Sequence, residues 1–378
     1  MTIAAASTWA WPELHSAQRE VLLDVLIHGS RSRADLARRT GMSRTSLSRI
    51  TRDLVDLGLI SEGEASAPSG RGRPAEMVHL RPDAARFIGI KLTGEALYAA
   101  ISDLHANVLE TVEVELESRA VGDVVALMAS IIADLRSRFD RIAAVGVCLA
   151  GDVEEVDGRS LLIGSDFLGW DEVPLVGLVE AATGLPAAVS NDVQALTVAH
   201  HWFGAGLGCR SLVVIGLGAG IGSGIVVNDQ LVYGSRGHSG KVGHTIVSEA
   251  GTRCSRGHES CASGFVTIPA ILHNAGTGDF EATLALAGEG EARASRAITS
   301  AARALGEVVA NLVNLVNPER VVITGEGLEI ARAGADAFSN AVSARLDPAT
   351  VSVPIVLEDF DFGDYAWAAS IGAIRRVV

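Results

Sequence analysis

The stretch Leu212–Val227, LVVIGLGAGIGSGIVV, is the longest apolar run of the chain and carries a glycine at every second position from Gly216 to Gly224. Five glycines and a serine interrupt it, so it predicts two strands around a tight turn and not a membrane span. Its spacing does not match the dinucleotide fingerprint G-x-G-x-x-G, and it lacks the lysine of a P-loop. Two interpretations stay open: the bare amides of the turn approach a ligand, or the hairpin is packed too tightly for side chains.

Around this stretch, strand-like and helix-like runs alternate from residue 85 onward, which indicates an α/β body. The predicted strands are 87–92, 97–102, 142–148, 187–190, 212–227, 321–324 and 353–357, and the predicted helices are 121–139, 173–183 and 366–374. We divide the body into a first α/β lobe over residues 83–200 and a second lobe over residues 201–378.

The first 82 residues carry a different pattern, with three short helices. The first spans residues 17–28 and ends at Gly29, and the second begins at a capping box formed by Ser32 and Asp35. Gly41 is the turn and Ser43 the cap of the third helix. The apolar stripe of this third helix consists of Leu47, Ile50, Leu54 and Leu57. This succession predicts a helix-turn-helix.

The polar face of the third helix suits a DNA major groove, since it carries basic and hydroxyl side chains. Its candidate DNA-contacting residues are Arg44, Thr45, Ser48 and Arg49, with Arg52 on the same face. Two strand-like runs, 59–61 and 77–80, then bracket a segment that ends in GRGRP at residues 70–74, as in a wing. Arg71 and Arg73 in this tip suit a narrow minor groove. Residues 1–82 are therefore predicted to form a winged helix-turn-helix.

Charge separates the two parts of the chain. The formal net charge is −14, but residues 1–82 hold 11 Lys and Arg against 9 Asp and Glu, so the remainder carries −16. Within the first part, residues 31–52 contain seven arginines and the single acid Asp35. An acidic body repels phosphate, so contact with nucleic acid is expected only from the basic first part.

Composition excludes several classes of protein. With 378 residues, 48% hydrophobic and 20% charged, the chain is globular rather than disordered and long enough for two or three domains. Four cysteines are too few for a disulfide scaffold, and the N-terminus lacks the basic and apolar regions of a signal peptide. A reducing cytoplasm is the expected location, with no membrane partner.

Several motifs together resemble the ROK family of sugar kinases and sugar-responsive repressors. They are Ser190-Asn191-Asp192, the glycine run, Gly240 to His244, the Cys254 to Cys261 segment and Val321 to Gly325, in this order. With the winged helix in front, the chain is similar to the repressor branch, such as xylose and N-acetylglucosamine repressors. The resemblance implies a two-lobed, actin-like and hexokinase-like (ribonuclease H-like) body with a sugar in the cleft between the lobes, and homo-oligomers built through that body.

The phosphate motif of the family kinases is altered here. Where those kinases have D-x-G-G-T, this chain has Lys91-Leu92-Thr93-Gly94-Glu95, in which a lysine replaces the acid and a glutamate that repels phosphate replaces the threonine. Asp192 matches the family's general base, but a carboxylate beside Asn191 serves equally as a hydrogen-bond acceptor. We therefore expect a protein that is not an enzyme; the alternative is a sugar kinase with Asp192 as its base.

The implied sugar pocket also departs from the family. By resemblance, the ligand-contacting residues are Asp166, Asn191, Asp192, Lys241 and His244. Lys241 and Ser263 stand where the family has glutamates, which favours an anionic sugar derivative or a differently shaped polyol as effector. The alternative is that Lys241 pairs with Asp166 or Asp192 and the pocket binds no sugar.

The family's structural zinc is held by one histidine and three cysteines. His244, Cys254 and Cys261 are retained as candidate ligands, whereas Arg256 replaces the middle cysteine. An arginine beside a divalent cation is unfavourable unless it points away. His258 is a candidate fourth ligand, two residues further on, so a structural zinc is a prediction that depends on this replacement. Cys148 and Cys209 are expected in the core.

The sequence thus predicts a cytoplasmic, ligand-responsive transcription regulator of carbohydrate-related genes that acts as a repressor. Its expected partners are operator DNA, a small carbohydrate-like effector, and further copies of itself in a homodimer or higher homo-oligomer. In one version of this prediction the effector is anionic. A dimer would bind a palindromic operator. No catalytic residue is assigned.

Overall fold

The computed structural model describes residues 9–64, 76–156, 159–247, 253–254, 256–350 and 352–378. These residues form two compact units. Unit 1 contains the described residues up to Ala195 together with Phe362–Val378, and unit 2 contains Leu196–Asp361. Among the described helices, none combines the length and the apolar character needed to cross a membrane.

The N-terminal part of unit 1 is a winged helix. Its elements are α1 (Ser16–His28), β1 (Arg31–Ser32), α2 (Arg33–Thr40), α3 (Arg44–Asp56), β2 (Ile60–Glu64) and β3 (Glu76–Leu80). The three strands form a sheet in the order β1-β3-β2. Ser32 and Ser43 cap α2 and α3 as predicted, since each hydroxyl accepts the backbone N–H three residues on. The prediction that Leu57 belongs to the apolar stripe of α3 is wrong, because Leu57 follows the helix and is 42% exposed.

The rest of unit 1 is built on a five-stranded sheet. Its further elements are β4 (Arg86–Leu92), β5 (Ala96–Asp103), β6 (Val108–Glu115), α4 (Val121–Arg138), β7 (Ile142–Leu149), β8 (Asp152–Val156), β9 (Arg159–Ser165), β10 (Trp170–Val173), α5 (Leu175–Thr183), β11 (Ala187–Asn191) and the start of α6 (Asp192–Phe203). The sheet order is β11-β7-β4-β5-β6, and β8, β9 and β10 form a separate sheet. Because β4, β7 and β11 are parallel, their carboxyl ends meet at one edge.

Unit 2 contains a second five-stranded sheet. Its elements are β12 (Leu212–Leu217), β13 (Ile221–Val227), β14 (Gln230–Leu231), α7 (Ser263–Val266), α8 (Ile268–Ala275), α9 (Phe280–Gly288), α10 (Ala292–Val316), β15 (Arg320–Thr324), α11 (Glu329–Ala333), α12 (Ala335–Arg345) and β16 (Ile355–Leu357). The strand order is β14-β13-β12-β15-β16. The long helix α10 and the sheet contribute most of the core of this unit.

The glycine run forms the β12–β13 hairpin, as predicted, and two of its glycines are tightly packed. A Cβ atom at Gly224 would lie 1.8 Å from Thr197 Oγ1, and one at Gly218 would lie 1.8 Å from Glu326 Oε2. At Gly218 the obstructing atom is the end of a flexible side chain, whereas at Gly224 the Cβ of Thr197 also lies only 2.6 Å away. The tight-packing interpretation therefore applies at Gly224, whereas a Cβ at Gly220 would meet nothing within 4 Å.

The last helix, α13 (Phe362–Val377), returns to unit 1. It packs on β4 and β7, so residues 362–378 lie with the first sheet rather than with the lobe predicted over residues 201–378. The predicted division into 1–82, 83–200 and 201–378 otherwise stays a prediction. The sequence predicted this helix but not its location, because contact with a strand some 270 residues earlier leaves no local signal.

Candidate functional sites

The outer face of α3 is the candidate DNA interface. Leu47, Ile50 and Leu54 are buried and hold the helix against the domain. On the opposite side Arg44, Thr45 and Arg49 are exposed, and Ser48 is half-buried with its hydroxyl donating to the Arg44 carbonyl at 2.9 Å. The structure thus places the four predicted residues of this helix on one accessible face.

The seven arginines of residues 31–52 divide into different roles. Arg38 pairs with Asp35, Arg39 with Asp24 at 2.5 Å, and Arg33 with Glu62 and Glu76. The Ser32 hydroxyl and then Arg38 hold the pKa of the Asp35 carboxyl below its usual value.

By contrast, Arg44, Arg49 and Arg52 are exposed and form no ion pair with any residue that the structure describes. Their charge is uncompensated locally, so it is available to an anionic partner. The wing arginines Arg71 and Arg73 lie outside the described residues. The sequence alone does not distinguish the paired arginines from the unpaired ones, because the acids that pair with Arg33 and Arg39 lie 15 or more residues away from them along the chain.

A buried ion pair occupies the edge where the parallel strands of unit 1 end. The Lys91 ammonium donates to Asp192 Oδ2 at 2.6 Å, and the two side chains are 5% and 11% exposed. Lys91 Nζ also lies 4.0 Å from the centroid of the Tyr365 ring, a cation–π arrangement. The other Asp192 oxygen accepts the Val193 N–H at 2.9 Å. Both oxygens of the predicted ligand-binding carboxylate therefore have protein donors.

This pair changes the electrostatics inferred from the sequence. A lysine at position 91, where the family kinases have an acid, adds positive charge to the body, but Asp192 compensates that charge directly. Lys91 forms an ion pair with Asp192. The neighbouring Cys148 is a core residue as expected: burial raises the pKa of its thiol to about 12.

The other ligand candidates have distinct settings. The Asn191 amide nitrogen donates to the Gly151 carbonyl at 3.0 Å, and its oxygen accepts from the backbone N–H of Val193 at 3.0 Å. Asn191 therefore orients the start of α6. Asp166 is exposed in the turn between β9 and β10, beside Phe167, an aromatic side chain that is 48% exposed and that the sequence analysis did not single out. Lys241 in unit 2 is exposed and precedes a 3₁₀ turn, Val242–His244.

Four potential metal ligands converge in unit 2. One ligand atom each from His244, Cys254, His258 and Cys261 lies within 4.8 Å of all the others. From His244 Nδ1 the distances are 3.2 Å to His258 Nδ1, 3.7 Å to Cys261 Sγ and 3.8 Å to Cys254 Sγ. With zinc bonds of about 2.3 Å to sulfur and about 2.0–2.1 Å to nitrogen, a tetrahedron requires separations of about 3.3 Å between nitrogens and about 3.6 Å between nitrogen and sulfur. The donor set and its spacing fit zinc.

Local backbone geometry explains why His258 joins this group. The Gly257 N–H donates to the Cys254 carbonyl at 2.9 Å, and the Cys254 N–H donates to the His258 carbonyl at 2.9 Å, closing a turn. Gly257 has φ +82°, in the left-handed region that glycine adopts easily. The turn brings His258 beside Cys254, whereas Arg256 is exposed and outside the group.

The imidazole of His244 is suited to metal binding. Burial, and then the nearby His258, Arg256 and Lys241, lower its pKa below the usual value. A lowered histidine pKa keeps the ring neutral near neutral pH, and the neutral ring is the form that binds a metal.

Comparison with known proteins identifies the architecture. The model of the ROK family matches residues 87–359, and that of the MarR family matches residues 14–72. This chain belongs to the ROK family. The winged helix in front of a ROK body, which the sequence analysis predicted, is thereby confirmed.

Three individual proteins are similar to this chain over most of their length. The N-acetylglucosamine repressor of Escherichia coli O6:H1 is 27% identical, with 97% of this chain and 92% of that protein covered. The xylose repressor of Caldicellulosiruptor bescii is 26% identical over 80% of this chain and 81% of that protein. The crystal structure of a ROK family transcriptional regulator, described as a homologue of the E. coli MLC protein, has a TM-score of 0.82 at 23% identity and covers 96% of both chains. The last comparison shows the fold, and the first two are proteins named as repressors, in agreement with the expected class.

The buried ion pair predicts non-additive effects on stability. Lys91→Met leaves the Asp192 carboxylate without its counter-ion and should destabilise unit 1 by about 3–5 kcal/mol. Asp192→Asn should destabilise it by a similar amount, because the Lys91 ammonium then lacks its counter-ion. The double variant should be more stable than the sum of the two losses predicts, because no buried charge then lacks a partner. Urea unfolding followed by circular dichroism measures this. The exposed pair Arg38 and Asp35 is the control, with a coupling under about 1 kcal/mol; additive losses at Lys91 and Asp192 would contradict the prediction.

Proposed function

We propose that this protein is a transcription regulator, acting as a repressor, whose winged helix binds operator DNA and whose ROK body senses a small carbohydrate-like effector. The observation that carries the proposal is the exposed face of α3, where Arg44, Arg49 and Arg52 have no acidic partner among the described residues. Such a face in front of an acidic body is positioned to contact phosphates and base edges. The relatives named as repressors support it.

The proposed DNA contacts divide by groove. Arg44, Thr45, Ser48 and Arg49 contact the major groove through α3. Arg71 and Arg73 contact the minor groove, a proposal that rests on the GRGRP sequence alone. We propose a homodimer or higher homo-oligomer on a palindromic operator in the cytoplasm, with the effector altering DNA affinity by favouring one conformation of the regulator.

For the effector, we propose that Asp192, Asn191 and Asp166 are the carbohydrate-contacting residues of unit 1. Lys241 and His244 of unit 2 stay sequence-based candidates for ligand contacts. The replacement of a family glutamate by Lys241 is the sequence feature on which the anionic version of the effector depends. The proposal is regulatory and not enzymatic, because the carboxylate that matches the kinase base is already hydrogen-bonded to an ammonium.

We further propose that His244, Cys254, His258 and Cys261 hold a structural zinc ion. The distances and the turn at Gly257 support this assignment. Bound zinc would supply a cross-link between the 3₁₀ turn that ends at His244 and the loop that ends at Cys261. Its role would be structural, since all four tetrahedral positions would be taken by the protein.

Arg49→Ala tests the DNA interface. Selecting fragments of the native genome with the purified protein provides the duplex, and fluorescence anisotropy at several salt concentrations gives affinity and salt slope. Losing Arg49 should weaken binding and lower the slope by about one for each phosphate contact removed. Arg38→Ala is the matched control, because Arg38 is exposed but paired with Asp35. Equal losses in both variants would contradict a specific role for α3.

A thermal-shift panel tests the effector class. We expect sugar acids or sugar phosphates to raise the unfolding temperature more than neutral sugars, and Lys241→Met to remove that difference, because it removes the proposed anion contact. Stabilisation by neutral hexoses alone would exclude the anionic version while supporting a carbohydrate effector.

Metal analysis of freshly purified protein in buffers without chelator tests the zinc proposal. We expect about one zinc ion per chain, as a closed four-ligand site binds. His258→Ala should lose most of the metal and lower the unfolding temperature, while Arg256→Ala should retain it. Absence of zinc from the unmodified protein, or equal retention in both variants, would contradict the assignment.

A further inference from the structure

One arginine of the basic segment connects the start of α2 to two strands of the winged-helix sheet. Arg33 is the first residue of α2 and directly follows β1, whose residues pair with Met77 and Val78 of β3. Its guanidinium bonds Glu62 on β2 through one terminal nitrogen, and Glu76 Oε2 on β3 at 2.8 Å through the other. The side chain therefore links the start of α2 to both strands that lead into the wing.

The chemistry of this contact favours a fixed geometry. A guanidinium is planar and offers its donors in a rigid fork, so bonds to two carboxylates on neighbouring strands orient those strands relative to α2. A second contact supports the same junction, since Ser30 Oγ lies 2.7 Å from His79 Nδ1 on β3. Because α2 and α3 pack together, the directions of β2 and β3 are set relative to the recognition helix.

The same contact resolves an electrostatic conflict. Glu62 and Glu76, whose side chains are 29% and 66% exposed, place two carboxylates on strands that lead into a wing that we propose lies near phosphates. Without a counter-ion they would oppose DNA binding. Arg33 compensates them and is itself only 34% exposed, so its charge is committed within the domain.

We propose that Arg33, Glu62 and Glu76 form a clamp that positions the wing for DNA binding, and that Arg33 is a positioning residue and not a DNA contact. This inference rests on the proposed function. On this proposal, Glu62 and Glu76 increase DNA affinity by holding Arg33, although a carboxylate repels phosphate.

The sign of the glutamate effect tests the clamp. Removing a carboxylate from a DNA-binding domain strengthens binding if only electrostatics matters, whereas Glu62→Gln and Glu76→Gln should each weaken it here, and together by about fivefold or more, because the wing loses its orientation. Asp56→Asn is the matched control: Asp56 is exposed on the same domain, has no ion pair among the described residues, and its replacement should leave affinity unchanged or tighter. Affinity is measured by anisotropy on the duplex recovered by genomic selection.

A double-variant cycle shows that the glutamates act through Arg33. Arg33→Gln should weaken binding to a similar extent, and adding Glu62→Gln and Glu76→Gln to it should cause no further loss. Circular dichroism melting should show the domain folded in every variant, since exposed ion pairs contribute little to stability. Tighter binding by Glu62→Gln and Glu76→Gln, or losses that add to that of Arg33→Gln, would overturn the clamp while leaving DNA binding intact. Failure of the unmodified protein to select any duplex would overturn the proposed function itself.

Discussion

A side chain of any size at Gly89 or Gly146 would collide with the backbone of α13. A Cβ atom would lie 1.9 Å from the Ala366 carbonyl oxygen at Gly89, and 1.8 Å from that of Ala369 at Gly146. The last helix therefore rests directly on the backbone of β4 and β7, where close packing tolerates almost no change in volume. This contact brings Tyr365 to the end of β4, beneath the Lys91 ammonium, so the buried ion pair depends on a helix from the other end of the chain.

Charge pairing is the second feature that organises the molecule. In unit 1 a buried lysine is compensated by the carboxylate that matches the kinase base, and in the winged helix three of seven arginines are compensated by acids. Arg44, Arg49 and Arg52 of α3 form no such pair among the described residues. A basic residue that lies beside an acid supports the fold, whereas one without an acid nearby is available to a partner. The net charge of −14 does not distinguish these two cases.

Much of the fold was predictable, because its signals are local. The caps at Ser32 and Ser43 and the apolar periodicity of α3 depend on residues within one or two helical turns. The prediction was wrong at Leu57 and omitted β6 and β8 to β10, whose strands are partly exposed and lack a continuous apolar run. At the metal group, three ligands followed from the family pattern. The fourth, His258, was only a candidate, because the turn at Gly257 decides whether residue 256 or 258 joins the group.

The sequence by itself determined the order of the secondary-structure elements, the winged helix ahead of an α/β body, and the resemblance to the ROK family. These depend on short-range periodicity, capping and motif order, which are written along the chain. Only the tertiary structure decided that α13 returns to the first sheet, that Lys91 pairs with Asp192, and that Arg33 bonds both β2 and β3. Each of these depends on the distance between side chains far apart in sequence, and such distances exist only once the chain has folded.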